Sequence, residues 1–194
     1  MLKYSGLGAA AVASSSFLAA CGGDDGGSGG GGATGPQKSG GTLIHGATGG
    51  GSKDTLDPHA PVTAADIARV NNLYEPLLFW NNNYELEPAL AESVESSADA
   101  KTWTIKMRQG VTFHNGQPVT ADDAWKTFNR ILDEATAAAA RANYLTIASI
   151  DTPDDYTVVF NLSQADVPLL AALATTNAAI VDTADIESGA VATL

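Results

Sequence analysis

Half of the residues from Gly22 to Ser39 are glycine, and most of the others are polar. Such a segment has too little apolar surface to offset the entropy of ordering its backbone, so it builds no core. It divides the 194-residue chain into a short leader and a body that begins near Gly40. As a flexible coil of about 18 residues it spans roughly 25 Å r.m.s., the property of a tether.

The leader runs through Leu7 to Ala20, a small, apolar stretch behind Lys3. A stable membrane anchor needs about 20 apolar residues. This run is shorter and has the length of a secretory h-region. Leu18-Ala19-Ala20-Cys21 then reads as a lipobox. Small residues let a peptidase groove approach the backbone, and the cysteine thiolate is the nucleophile that accepts a diacylglycerol. Cleavage before Cys21 leaves it as the lipidated first residue. A buried free cysteine in an N-terminal helix is the blander reading, and the flexible sequence that follows at once argues against it. The expected division is a signal peptide at 1–20, a lipid-anchored linker at 21–39 and a folded domain at 40–194. Lys3 alone is a thin n-region, and the stretch from Met1 resembles the tail of a twin-arginine signal. The expectation is that Met1 is internal, with an Arg-Arg pair encoded upstream.

The body of about 155 residues is long enough to bury a core, and 44% hydrophobic residues with three tryptophans fit one. A net charge of −12 repels phosphate backbones, which excludes a nucleic-acid partner. The single cysteine leaves none for a disulfide. No second membrane-length apolar run follows the leader.

Periodicity places the elements. Gly41 to Gly46 reads as a short strand. Ile67, Val70, Leu73 and Tyr74 recur at helical spacing, giving a helix from Ala64 to about Tyr74. Pro76 ends it, Leu77 to Trp80 is a brief strand, and Asn81 to Glu85 a turn. In Thr102 to Arg108, Trp103, Ile105 and Met107 alternate with polar residues, as a half-buried strand does. Ser93 to Ala98 is its expected partner. His114 to Pro118 is a tight turn around Asn115-Gly116. Thr120 with Asp123 outlines a capping box. The helix that follows aligns Ala124, Trp125, Phe128, Ile131 and Leu132. An alanine-rich helix is expected at about Thr136 to Asn143. Ile147 to Ile150 leads into a turn at Asp151 to Asp155, and Tyr156 to Leu162 alternates as a strand. Asp166 is expected to cap a helix from Val167 to Ala174, and Ala178 to Val181 to begin another strand. The fold class is α/β, mixed α+β, with a hairpin-rich layer.

The chemical motifs are thin. Gly46 and Gly51 have phosphate-loop spacing, but Ser52-Lys53 stands in the wrong order and Asp54 would oppose a phosphate. His45, His59 and His114 have no metal-ligand spacing. The pairs Asp24-Asp25, Asp122-Asp123 and Asp154-Asp155 fall in a linker, a helix start and a turn, where solvation and capping account for them. Trp103, Trp125 and Phe128 read as core. No nucleophilic serine motif is present. From the residues alone the chain is a lipid-tethered extracytoplasmic domain, not an enzyme, with no cofactor and no metal site.

The stretch from Thr102 to Asp133 resembles the signature of the extracellular solute-binding proteins, family 5, the dipeptide, oligopeptide and nickel receptors of ABC importers. It holds the aromatic-rich strand, then Arg108, Gly110 and Phe113, the His114-Asn115-Gly116 turn and the Thr120-Ala121-Asp122-Asp123 helix start. Gly41-Thr42-Leu43, Thr55 to His59, Leu73 to Leu77 and Pro88 to Ser93 agree with its flanks, and Asp151 to Ala174 with its later strand and helix. The resemblance runs from about Gly40 to Asp182. It implies a type II periplasmic-binding-protein fold, in which two lobes close on a ligand. This chain would hold only part of lobe one with its inserted hairpin-rich subdomain, so a fragment is expected. The resemblance loosely assigns ligand contacts to His59, Val62, Thr63 and Tyr144. Backbone N–H groups near Thr63 would hold a carboxylate, and His114 to Asp123 would be structural. The implied partners are a small solute such as a peptide, an ABC permease, and the bilayer through Cys21. Nickel chelates and oligosaccharides stay open as ligands, and so does a surface lipoprotein that reuses the lobe without transport.

Overall fold

The computed structural model describes residues 40–42, 44–61 and 63–193. The chain divides into Met1–Ile44 and His45–Leu194. In the first unit the described residues form no element, and Cys21 lies outside them. The second unit carries the fold.

Helix α1 (Ala64–Leu73) leads into an antiparallel hairpin of β1 (Leu78–Trp80) and β2 (Leu86–Pro88). A four-stranded antiparallel sheet follows, built from β3 (Ala91–Ser96), β4 (Thr102–Met107), β5 (Ile147–Asp154) and β6 (Thr157–Leu162) in the order β3-β4-β6-β5. Helix α2 (Ala121–Leu132) stands between the two strand pairs in sequence. Two short helices, α3 (Leu169–Ala172) and α4 (Thr183–Ser188), close the described chain apart from single 3₁₀ turns.

Alternation sets the sheet's inner face. Trp103, Ile105 and Met107 of β4 are buried with Val158, Phe160 and Leu162 of β6. Lys106 turns outward and donates to Thr157 Oγ1 at 2.6 Å. Helix α2 covers the inner face with Ala124, Phe128 and Ile131, all fully buried. Phe128 meets Phe160 edge-on at 5.0 Å and Tyr144 at 5.5 Å. The start of α2 is closed by Asp123, whose carboxylate accepts from Thr120 N (2.8 Å) and Thr120 Oγ1 (2.9 Å). The turn before it is held by Asn115, which accepts from Gln117 N and donates to Asp182 at 2.7 Å. Gly116 supplies the positive φ, +86°, that this turn requires.

Several expectations are corrected. The described part of Gly41 to Gly46 is exposed and pairs with no described strand, so it has no ladder and is not a strand. Thr136 to Asn143 is not an α-helix. Ala137 is left-handed (φ 52°), the bonds inside the segment, Arg141 N to Ala138 O and Asn143 N to Ala140 O, span three residues and not four, and others run outward, Ala139 N to His59 O and Arg141 Nε to Leu132 O. Alanine favours helix, but its methyl groups bury too little area to hold a helical face against the fold, and a helix that short is marginal alone. Asp166 does not cap a helix: its carboxylate accepts from Thr146 Oγ1 at 2.6 Å, and α3 starts after Pro168. Asp151 to Asp154 is not a turn but the end of β5. Ala178 to Val181 forms no strand. A 3₁₀ turn ends at Ala178, and the residues after it form a strap bonded through Ile180 N to Glu75 O and Val181 N to Thr127 Oγ1. Trp125 is not core: it is 37% exposed, one position off the line of Ala124, Phe128 and Ile131.

Candidate functional site

Asp57 accepts from the backbone N–H of His59 at 2.9 Å, an Asx turn that points the imidazole inward. Arg130 of α2 reaches this turn from 73 residues away. Its Nη2 donates to Asp57 Oδ2 at 2.7 Å and its Nη1 to Oδ1 at 3.0 Å, a bidentate pair. The same Nη1 donates to His59 Nδ1. On its far side His59 Nε2 lies 3.1 Å from the Ala179 carbonyl. A carbonyl only accepts, so Nε2 carries the proton and Nδ1 is bare. His59 is fully buried and Asp57 nearly so. The backbone adds Ala139 N to His59 O at 2.9 Å. Four stretches distant in sequence thus meet at one buried group: the 57–59 turn, α2, the 138–140 turn and the 177–179 strap.

Burial, with Arg130 adding to it, lowers the His59 pKa from 6.5 to about 4. Protonating Nδ1 would set an imidazolium against a guanidinium. The unfolded chain binds this proton near pH 6.5 and the folded chain does not, so stability rises with pH between about 4 and 6.5 and is lost as pH falls through that window. The full effect is roughly 3 kcal/mol. Melting between pH 7 and pH 5 is expected to shift downward, and His59→Gln, which keeps a donor for Ala179, to flatten the response. Equal melting of wild type at both pH values would overturn the neutral, buried assignment.

The expected ligand residues do not gather around one opening. Thr63 is the N-cap of α1: its Oγ1 accepts from Asp66 N at 3.1 Å, and its own N–H donates to Asp66 Oδ2 at 2.9 Å. The helix start is therefore occupied by the chain's own carboxylate, where a ligand carboxylate was expected. Tyr144 is fully buried, its hydroxyl donating to Ala172 O at 2.8 Å, and burial pushes its pKa up to about 12. His59 and Tyr144 reach no surface. Val62 lies outside the described residues.

The structure presents a groove that the sequence did not point to. About 740 Å³ lies between the C-terminal end of α1, the turn at 111–115 and the strap at 180–185. Leu56, Leu90, Val119 and Ile180 give it an apolar floor, and Tyr74 and Phe113 give it aromatic walls. Its charged groups are Glu75, Asp182 and Asp185, and no lysine or arginine lines it among the described residues. Burial raises the Tyr74 pKa, and Asp185 adds to the rise. The volume fits a small ligand, and the charge favours an ammonium group over a carboxylate. Glu75, Asp182 and Asp185 are separated by up to 110 positions, so no local pattern marks them as neighbours.

The profile of the Bacterial extracellular solute-binding proteins, family 5 Middle, matches residues 85–193. The periplasmic oligopeptide-binding protein OppA of Haemophilus influenzae is 34% identical over 106 residues, 55% of this chain and 19% of its own length. The probable D,D-dipeptide-binding periplasmic protein DdpA of Escherichia coli is 31% identical over 141 residues, 70% of this chain and 27% of its own. Among solved structures, the PBP AgaA of A. tumefaciens R10, in complex with agropinic acid, has a TM-score of 0.68 at 33% identity, over 70% of this chain and 28% of that one. The chain thus spans between 19% and 28% of the length of these relatives. Its mixed α/β architecture is part of the type II periplasmic-binding-protein fold. With more than half its residues inside the profile and its fold shared with a solved relative, the chain belongs to the bacterial extracellular solute-binding proteins, family 5.

Proposed function

We propose that the chain is the capturing part of an ABC importer lipoprotein, which takes up a peptide or similar small solute outside the membrane and hands it to a permease. The observation that carries this is the sequence and fold shared with relatives named as oligopeptide- and D,D-dipeptide-binding proteins. The acid-lined groove is in keeping with a solute that carries an amino group. The reading is of a binder and not an enzyme, because the sequence offers no nucleophile and base, and it calls for no cofactor. His59, Thr63 and Tyr144 serve by fixing the turn, the helix start and the core behind the binding face. Residues 1–20 are the signal, 21–39 the tether and 40–194 the folded domain, held at the extracytoplasmic face of the membrane.

The test is a thermal-shift screen of the natural protein that carries this chain, purified from its own membranes, against mixed di- to pentapeptides. A ligand at about 100 times its Kd stabilises by roughly 2.7 kcal/mol, a readily measured shift. No shift with any peptide pool would refute the peptide reading. The anchor is tested separately. Each buried methylene of an acyl chain contributes about 0.8 kcal/mol to membrane binding. Cys21→Ser is expected to release the protein or leave it unprocessed. Processed mutant protein in the membrane fraction would remove Cys21 from this role.

A further inference from the structure

The β1–β2 hairpin ends in a turn built with unusual care. Asn81 Oδ1 accepts from Asn83 N (2.8 Å) and Glu85 N (3.0 Å). Its Nδ2 donates to Glu85 Oε2 (3.0 Å) and Glu87 Oε1 (2.6 Å), which pins two carboxylates side by side. The backbone closes the turn through Asn81 N to Glu85 O and Tyr84 N to Asn81 O, both 3.0 Å. At its tip Tyr84 adopts φ +61°, the left-handed region where a bulky side chain is an outlier and glycine or asparagine would sit without strain. Three asparagines precede it, yet the strained position holds a tyrosine that is 86% exposed. Phe79 and Trp80 stand exposed behind it at 39% and 45%. Phe79 lies opposite Glu87 and Trp80 opposite Leu86. The hairpin's root is fixed, since Leu77 and Leu78 are buried and Leu77 O accepts from Ala89 N and Ala91 N.

We propose that this hairpin is a docking surface for an arginine- or lysine-bearing segment of a partner protein. Exposed aromatic rings beside fixed carboxylates match a guanidinium, which stacks on the ring face while its N–H groups engage the oxygens. Among the described residues Glu85 and Glu87 form no ion pair, so both charges are open to a partner. A chain of net charge −12 attracts basic partners over a distance. A lipid interface also takes aromatic side chains, but here it would have to accept two fixed carboxylates on the same hairpin. The proposal stands apart from the peptide-capture reading, because the hairpin contributes no residue to the groove.

The test titrates the full chain with a hexa-arginine peptide, with hexa-glutamine as control. Tyr84→Gly removes the ring and relieves the backbone. Tyr84→Asn, which takes this conformation well, is the second removal. Glu85→Gln/Glu87→Gln removes the paired charges, and Glu95→Gln/Asp151→Asn removes the same charge from the exposed face of the sheet. Hexa-arginine binding is expected to weaken about tenfold in each hairpin variant and less than twofold in the sheet variant, with melting temperatures no lower than wild type for Tyr84→Gly. Equal weakening in the sheet variant would mean diffuse surface charge and overturn the proposal. So would unchanged binding in both Tyr84 variants. Tyr84-dependent binding to phosphatidylcholine vesicles, without preference for hexa-arginine over hexa-glutamine, would assign the hairpin to a membrane surface instead.

Discussion

Arg130→Met is expected to cost about 3–5 kcal/mol of unfolding free energy, because it leaves the Asp57 carboxylate buried without its partner. That is a large part of the 5–15 kcal/mol that typically holds a domain. The loss should be strongly non-additive. Replacing both partners, as Asp57→Ala/Arg130→Met, removes the orphaned charge and is expected to cost less than Arg130→Met alone. A second readout is independent of size. Without the guanidinium, His59 loses the cation that opposes its protonation, while Asp57 stays 4.0 Å from Nδ1. The acid sensitivity of wild type between pH 6.5 and 4 should therefore shrink in Arg130→Met. Chemical denaturation of the chain at pH 7 and pH 5 measures both quantities. A loss under about 1 kcal/mol, or an unchanged pH response, would show that the cluster does not hold the fold.

Phe128→Ala carries the other large effect. The ring is fully buried and meets Phe160 and Tyr144 edge-on, joining α2 to the sheet and to the 141–144 turn. Truncating a core phenylalanine costs about 3–5 kcal/mol, of which edge contacts of this kind supply about 0.5–1.5 kcal/mol each. Trp125→Ala, three residues earlier on the same helix, is expected to cost about 1 kcal/mol or less, because its side chain is already partly in water. Comparing the two by urea denaturation checks the orientation of α2 directly. A larger loss at Trp125 than at Phe128 would mean that the helix is rotated from the described position.

The residues most legible in the sequence were those whose partners are close in it. The alternation in Thr102 to Met107, the Asn115-Gly116 turn and the start of α2 at Thr120 and Asp123 all lie where periodicity and turn chemistry place them. Trp125 was misassigned because one helical position is a rotation of about 100°, and an apolar residue at the margin of the stripe fits either side. The Thr63…Asp66 spacing, a cap with an acid three residues on, was an equally readable signal that the expectation of a ligand carboxylate at Thr63 passed over, and the structure shows the box formed. The buried Asp57–His59–Arg130 group had no such signal. Arg130 is 71 to 73 residues from its two partners, and a lone histidine in a turn gives no hint that it is sealed from water. The groove was hidden for the same reason, since its walls come from three separate stretches.

The strand order β3-β4-β6-β5 has a consequence for the path by which the chain folds. Strands β3 and β4 are joined by a turn of a few residues, and so are β5 and β6, so each pair closes locally as a hairpin. The seam between them pairs Thr102 with Asn161 and Lys106 with Thr157, across the whole of α2 and the turns after it. Closing a loop of that length is entropically slow. Until it closes, β4 and β6 each present a bare edge beside side chains that the finished fold buries, Ile105, Met107, Val158 and Phe160. A chain kept extended postpones this seam together with the local hairpins, and the risk of mispairing concentrates in the interval after release, when the hairpins form before the seam does.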